Sequence, residues 1–172
     1  MRPRLALLIG IIVAAAGIRL CPHPANFDPI GGLALFAGAH MENRRRAFIP
    51  ALAAMLLSDA LIGFHTQMPV VYGAFALIVC LGFALRRQRG PLPVAGMALA
   101  ASVLFFVATN LGVWAFDGMY PKSLAGLVAC YVAALPFFGM TVAGNLFYAA
   151  VLFGGFALAE RRIPLVAPAA RS

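Results

Sequence analysis

Six long apolar runs, separated by short polar stretches, set the pattern of the chain: residues 5–20, 30–41, 48–64, 70–85, 94–113 and 136–159. A hydrocarbon core of roughly 30 Å takes roughly 17–25 helical residues, and a helix satisfies its own backbone groups in lipid. The runs therefore predict an all-α membrane protein, a single-domain bundle of six transmembrane helices over residues 1–172. The second run is too short to span comfortably, so it is expected to tilt, to extend into its flanks or to be partly re-entrant. Between the fifth and sixth runs, residues 119–135 are apolar but broken by Pro121, Lys122 and Gly126 and ended by Pro136. Proline disfavours a continuing helix, so this stretch is expected to form a lid or a short helix lying at the interface.

Charge adds an orientation. The chain carries 13 Lys and Arg against 5 Asp and Glu, a net charge of +8. In a soluble protein that balance would suggest nucleic acid, but here the basic residues cluster between apolar runs. Lysine and arginine collect in short cytoplasmic loops. Placing both termini in the cytoplasm puts Arg2, Arg4, Arg44, Arg45, Arg46, Arg86, Arg87, Arg89, Arg161, Arg162 and Arg171 inside and leaves only Arg19 and Lys122 outside. The basic residues thus read as topology signals, with no nucleic-acid partner. Hydrophobic residues make up 63% of the chain and charged residues 10%, far from a soluble composition. No small-x-small cleavage site follows the first run closely, so it is read as a membrane helix and not as a signal peptide.

The expected outer loops are 21–29, 65–69 and 114–122, poor in basic charge and rich in aromatics, histidines, amides and prolines. They read either as a membrane aromatic belt or as the roof of a cavity open to the outside. His23, Asn26, Asp28, His65, Gln67 and Tyr120 are its candidate hydrogen-bonding groups, and Phe27, Tyr72, Phe75, Trp114 and Phe116 its candidate packing groups.

Within the runs, Asp59 is expected near the middle of the third helix, where a charge costs roughly 2.5–3.5 kcal/mol and must face protein or water. It reads either as the floor of a cavity or as a partner of Ser58 or Asn110. Asn110 and Asn145 serve as helix glue or as ligand groups. Cys80 falls roughly 15 Å below Val70 at 1.5 Å per residue. A buried thiol in apolar surroundings is protonated and inert, unless a bound metal displaces its proton. Cys21, Cys80 and Cys130 are too scattered for a disulfide framework or a CxxC metal site. Small residues line one face of the first helix at Ala6, Gly10 and Ala14, and recur at Gly139, Ala143 and Gly144, for packing in the bundle or for docking a membrane partner. No GxxxxGK[ST] pattern occurs, so the chain holds no P-loop for ATP.

The six-helix plan with a small-residue first helix resembles the substrate-binding S-components of energy-coupling-factor (ECF) vitamin transporters. More closely, residues 24–40 (PANFDPIGGLALFAGAH), 57–65 (LSDALIGFH) and the lone Cys80 resemble the BtuM proteins, predicted cobalamin transporters of Gram-negative bacteria. The resemblance implies vitamin B12 uptake across the bacterial inner membrane. It implies Cys80 as an axial ligand of the cobalt, with possible loss of an upper ligand such as cyanide, and it carries Asp28, Asp59 and His65 as site residues. It also implies an ECF coupling subunit with ATPases docking on the Ala6, Gly10 and Ala14 face. Rival readings are an S-component for a different vitamin with Cys80 only packed, a membrane thiol oxidoreductase using Cys21 and Cys130, and an assembly protein without a ligand-sized cavity.

Overall fold

The computed structural model describes residues 3–162, with side chains from Gly10 to Arg161. Arg2 and Arg171, and the side chains of Arg4, Ala6 and Arg162, lie outside the described residues. Six helices make up the described fold: α1 (Pro3–Leu20), α2 (Ile30–His40), α3 (Ile49–Ile62), α4 (Met68–Ala84), α5 (Pro91–Phe116) and α6 (Leu124–Arg162), with a single 3-10 turn, Arg46–Phe48, leading into α3. Proline stands in the first turn of α3, α4 and α5, where its missing N–H costs nothing and its fixed φ suits a helix start. Gly63, at φ 118°, ends α3 in a conformation that other residues avoid.

The short second run becomes the centre of the molecule. α2 is 11 residues, about 16 Å long, and every residue from Ile30 to Ala39 is buried among α3, α4, α5 and α6. Glycine makes that burial possible. A Cβ on Gly38 would lie 2.3 Å from the Val79 carbonyl oxygen, and one on Gly82 would lie 2.4 Å from that of Leu35, so α2 and α4 touch backbone to backbone. Gly32 likewise admits the backbone of α6 at Tyr148 and Ala149. Side chains meet both ends of α2. The Asp28 carboxylate accepts the Ile30 N–H at 2.9 Å, while Arg86 donates to the carbonyls of Gly38 at 3.1 Å and Met41 at 2.6 Å, satisfying groups a helix end leaves open.

The expected break at Pro136 is corrected: α6 runs through it as one helix of 39 residues. Pro136 removes one helical N–H, but it sits on the exposed face, and such prolines are tolerated in apolar helices whose other backbone bonds hold. The expected lid over 119–135 shrinks to the loop 117–123. This loop is tied down by the Trp114 indole N–H donating to the Pro121 carbonyl at 3.0 Å and by Lys122 donating to the carbonyls of Trp114 and Asp117.

The outside of the bundle is apolar. Leu56, Leu57, Leu61, Leu77, Leu99, Val103, Val107, Val132 and Val151 are all exposed, whereas Leu33, Leu35, Met55, Ile78 and Val79 form the core. Among the described residues, Pro91–Phe116 and Leu124–Arg161 are long and apolar enough to cross a membrane.

Candidate functional site

One end of the bundle carries the connections 21–29, 63–67 and 117–123, and a cavity of about 270 Å³ opens there between α4, α5 and α6. Asn26 and Gln67 stand on its loop side. Val71, Phe105, Phe106, Thr109, Asn110, Phe137 and Thr141 line its walls. A narrow recess bounded by Asn26, Asp28, Phe75, Ile78, Phe105, Thr141 and Asn145 shares three of these residues and continues the cavity toward α2. Asn26 is the one described non-glycine residue with positive φ, at 64°, a conformation asparagine tolerates better than most.

The polar side chains here are held by definite bonds. The Gln67 amide nitrogen donates to the Gly112 carbonyl at 3.3 Å, and its buried oxygen has no hydrogen-bond partner. Asn110 donates to the Phe106 carbonyl at 2.8 Å, and Asn145 to the Ser102 hydroxyl oxygen at 2.9 Å. The hydroxyls of Thr109 and Thr141 donate to the Phe105 and Phe137 carbonyls of their own helices. Burial pushes the Asp28 carboxyl above its ordinary range, against smaller opposing effects of the Ile30 N–H and the charges of Arg19 and His23.

The other candidates from the sequence lie elsewhere. Asp59 is buried, but within a turn of the end of α3 and not at mid-helix, because α3 stops at Ile62. It pairs with Arg19 of α1 at 2.5 Å and accepts the Tyr72 hydroxyl of α4 at 2.9 Å, while Arg19 also donates to Ser58 at 2.6 Å. Neither Asn110 nor the cavity touches this cluster. Phe27 packs on Phe147 and Tyr148, with ring centroids 5.7 and 5.5 Å away. Trp114 and Tyr120 belong to the 117–123 loop and its base, His65 and Phe116 are exposed, and the His23 ring nitrogen bonds the Cys21 carbonyl at 2.7 Å.

Cys80, expected to be buried, is exposed. α4 gives Gln67, Val71, Phe75 and Ile78 to the cavity and recess, whereas Gly73, Leu77, Cys80 and Ala84 form its exposed stripe. Two residues along a helix turn about 200°, so Cys80 points away from the side that Ile78 faces. Cys21 is exposed and unpaired, and Cys130 is buried with its thiol donating to the Asn110 carbonyl at 3.4 Å. Gly10 and Ala14 of α1 are exposed, as are Gly139 and Ala143 of α6, while Gly144 packs on the backbone of Phe27 and Asp28.

Thr109, Thr141 and the three phenylalanines of the walls did not stand out in the sequence. The spacing of Thr141 and Asn145, one helical turn apart in an apolar run, is the signal that marks a shared polar face.

Among the described residues the fold is all-helical, with two helices long and apolar enough to cross a membrane. The chain belongs to a family described as a family of unknown function, DUF6580, whose model matches residues 1–168. No curated protein and no solved structure matches it.

Proposed function

We propose that the chain is a six-span protein of the bacterial inner membrane that takes up cobalamin, with Cys80 as the axial ligand of the cobalt. The apolar outer surface and the arginines gathered at the end opposite the cavity support a multi-pass arrangement with both termini in the cytoplasm.

The observation that carries the cobalt reading is the exposed Cys80 thiol, set among the small or apolar groups Gly73, Leu77 and Ala84 and joined to the sequence resemblance. A Cβ on Gly73, about two turns away on the same stripe, would meet nothing within 4 Å. The corrin fills the equatorial positions of its metal, so a single soft sulfur suffices as an axial ligand. With cyanocobalamin the step is a ligand exchange: a cobalt–sulfur bond forms, the cobalt–cyanide bond breaks, and the thiol proton leaves with cyanide as hydrogen cyanide. No electrons change hands.

The cavity of about 270 Å³ lies below the roughly 300–1,000 Å³ of sites for drug-sized ligands, and cobalamin is larger than those. The cavity as it stands is therefore too small for the vitamin, and contact between cobalamin and Cys80 requires the helices to move apart. The remaining S-component features are carried by resemblance alone. They include docking of a coupling subunit with ATPases on the exposed Gly10 and Ala14 face.

Uptake of labelled cobalamin by cells lacking their own inner-membrane transporter tests the proposal. Expression of the wild type restores uptake and Cys80→Ala abolishes it. Absence of uptake by the wild type, with the protein present in the membrane, contradicts the reading.

A further inference from the structure

We infer that the arginine-bearing connections 42–46 and 85–90 form a docking site for the headgroup of an anionic phospholipid. The inference rests on the membrane reading of the chain but not on the cobalt reading.

The two connections lie at the end of the bundle opposite the cavity and carry six arginines against one acid, Glu42. Packing makes them one platform. Phe48, which leads into α3, meets Phe83 near the end of α4 edge to face, with ring centroids 6.1 Å apart. The guanidinium carbons of Arg44 and Arg86 both stand over that same Phe83 ring, at 5.6 and 5.0 Å from its centroid. Two like charges gathered at one ring repel each other, and an anion bound beside them offsets the repulsion.

The platform is built before any ligand arrives. Arg86 is held by its bonds to the Gly38 and Met41 carbonyls, which use two of its five N–H groups and leave three to donate. The Asn43 side-chain oxygen accepts the backbone N–H groups of Arg45 and Arg46 at 2.9 and 3.3 Å, which fixes the turn that carries Arg44. Guanidinium groups bind phosphate through paired N–H donors, and a fork already held in place loses little entropy on binding. Arg44, Arg45, Arg46, Arg87 and Arg89 are exposed around it.

Apolar side chains decide which phosphate the site suits. Ile49 and Leu92, three residues after Arg46 and Arg89, stand in the first turns of α3 and α5 and are 52% and 83% exposed. A free phosphate or a nucleic acid gains nothing from them, whereas the acyl chains of a lipid cover them while its phosphate meets the arginines.

Native mass spectrometry of the full chain in detergent, titrated with dioleoylphosphatidylglycerol, tests this. Dioleoylphosphatidylcholine, zwitterionic with the same chains, and glycerol phosphate, the anion without chains, are the comparators. Phosphatidylglycerol is expected to bind at least about tenfold more tightly than either. Arg44→Gln, a change at an exposed residue, is expected to weaken it about five- to tenfold. Arg161→Gln removes the same charge from an exposed arginine of α6 outside the Phe83 cluster and is expected to leave the affinity within about twofold. Equal binding of either comparator, unchanged affinity in Arg44→Gln, or an equal loss in Arg161→Gln overturns the inference and leaves the membrane reading standing. Recovery of the chain in the soluble fraction of the cell overturns the membrane reading and the inference with it.

Discussion

Arg19 at the end of α1 and Asp59 near the end of α3 form an ion pair at 2.5 Å, with Asp59 buried and the Arg19 side chain only 18% exposed. Each residue is anomalous alone: Arg19 breaks the inside-positive charge pattern, and Asp59 is an acid in an apolar run. Together they neutralise one another, and Tyr72 completes the Asp59 carboxylate from α4. The pair thus fastens α1, whose main neighbour is α3, to the rest of the bundle.

Removing one partner strands a buried charge, which costs roughly 3–5 kcal/mol, whereas replacing both by apolar groups is often neutral. Asp59→Leu and Arg19→Met are therefore each expected to lower stability strongly, and the double variant to recover most of the loss. Thermal denaturation of the four proteins in detergent measures this. A double variant as unstable as the sum of the singles would contradict the pairing.

The tight crossing of α2 and α4 predicts opposite results at neighbouring glycines. Gly38→Ala or Gly82→Ala drives a Cβ to within 2.4 Å of a carbonyl oxygen and is expected to cost about 1–3 kcal/mol or to prevent folding. Gly73→Ala, in the same helix with nothing within 4 Å, is expected to gain about 0.5–1 kcal/mol from reduced backbone freedom. Equal effects at Gly73 and Gly82 would show that the crossing is looser than described.

Asp28 predicts a pH dependence. Its carboxyl titrates higher in the folded protein than the ordinary 3.8, because burial disfavours the charge. The folded state then binds the proton more readily than the unfolded state, so ionised Asp28 costs stability at neutral pH. That cost is relieved as pH falls through the raised value and has vanished below about 4. Asp28→Asn is expected to be more stable than the wild type at neutral pH, with the difference shrinking on acidification. A difference in melting temperature that is constant between neutral pH and about 4 would exclude this.

The sequence revealed the helices well and their faces poorly. In a chain this apolar, core and outer positions look alike: Leu35 is fully buried and Leu77 is 53% exposed, yet both are leucines in apolar runs. The same ambiguity hid Cys80, whose spacing gives depth but not direction. Polar residues were more legible. Asn26, Asp28 and Gln67 do converge at one end, because loops between antiparallel helices must meet there. Pro136 misled, since proline interrupts hydrogen bonding at one carbonyl without ending a helix whose neighbours are apolar.

The proposed topology places Cys21 outside and Cys80 within the membrane, while Cys130 is buried in α6. A membrane-impermeant maleimide added to intact spheroplasts is expected to label Cys21 and to spare Cys80 and Cys130. Labelling of Cys21 only after permeabilisation would invert the orientation.

The visible spectrum of protein purified from cells grown with cobalamin tests the cobalt–thiolate bond most directly. The account predicts corrin absorbance that copurifies with the wild type and is shifted or lost in Cys80→Ala. A wild type that emerges colourless and leaves the spectrum of added cobalamin unchanged would contradict it.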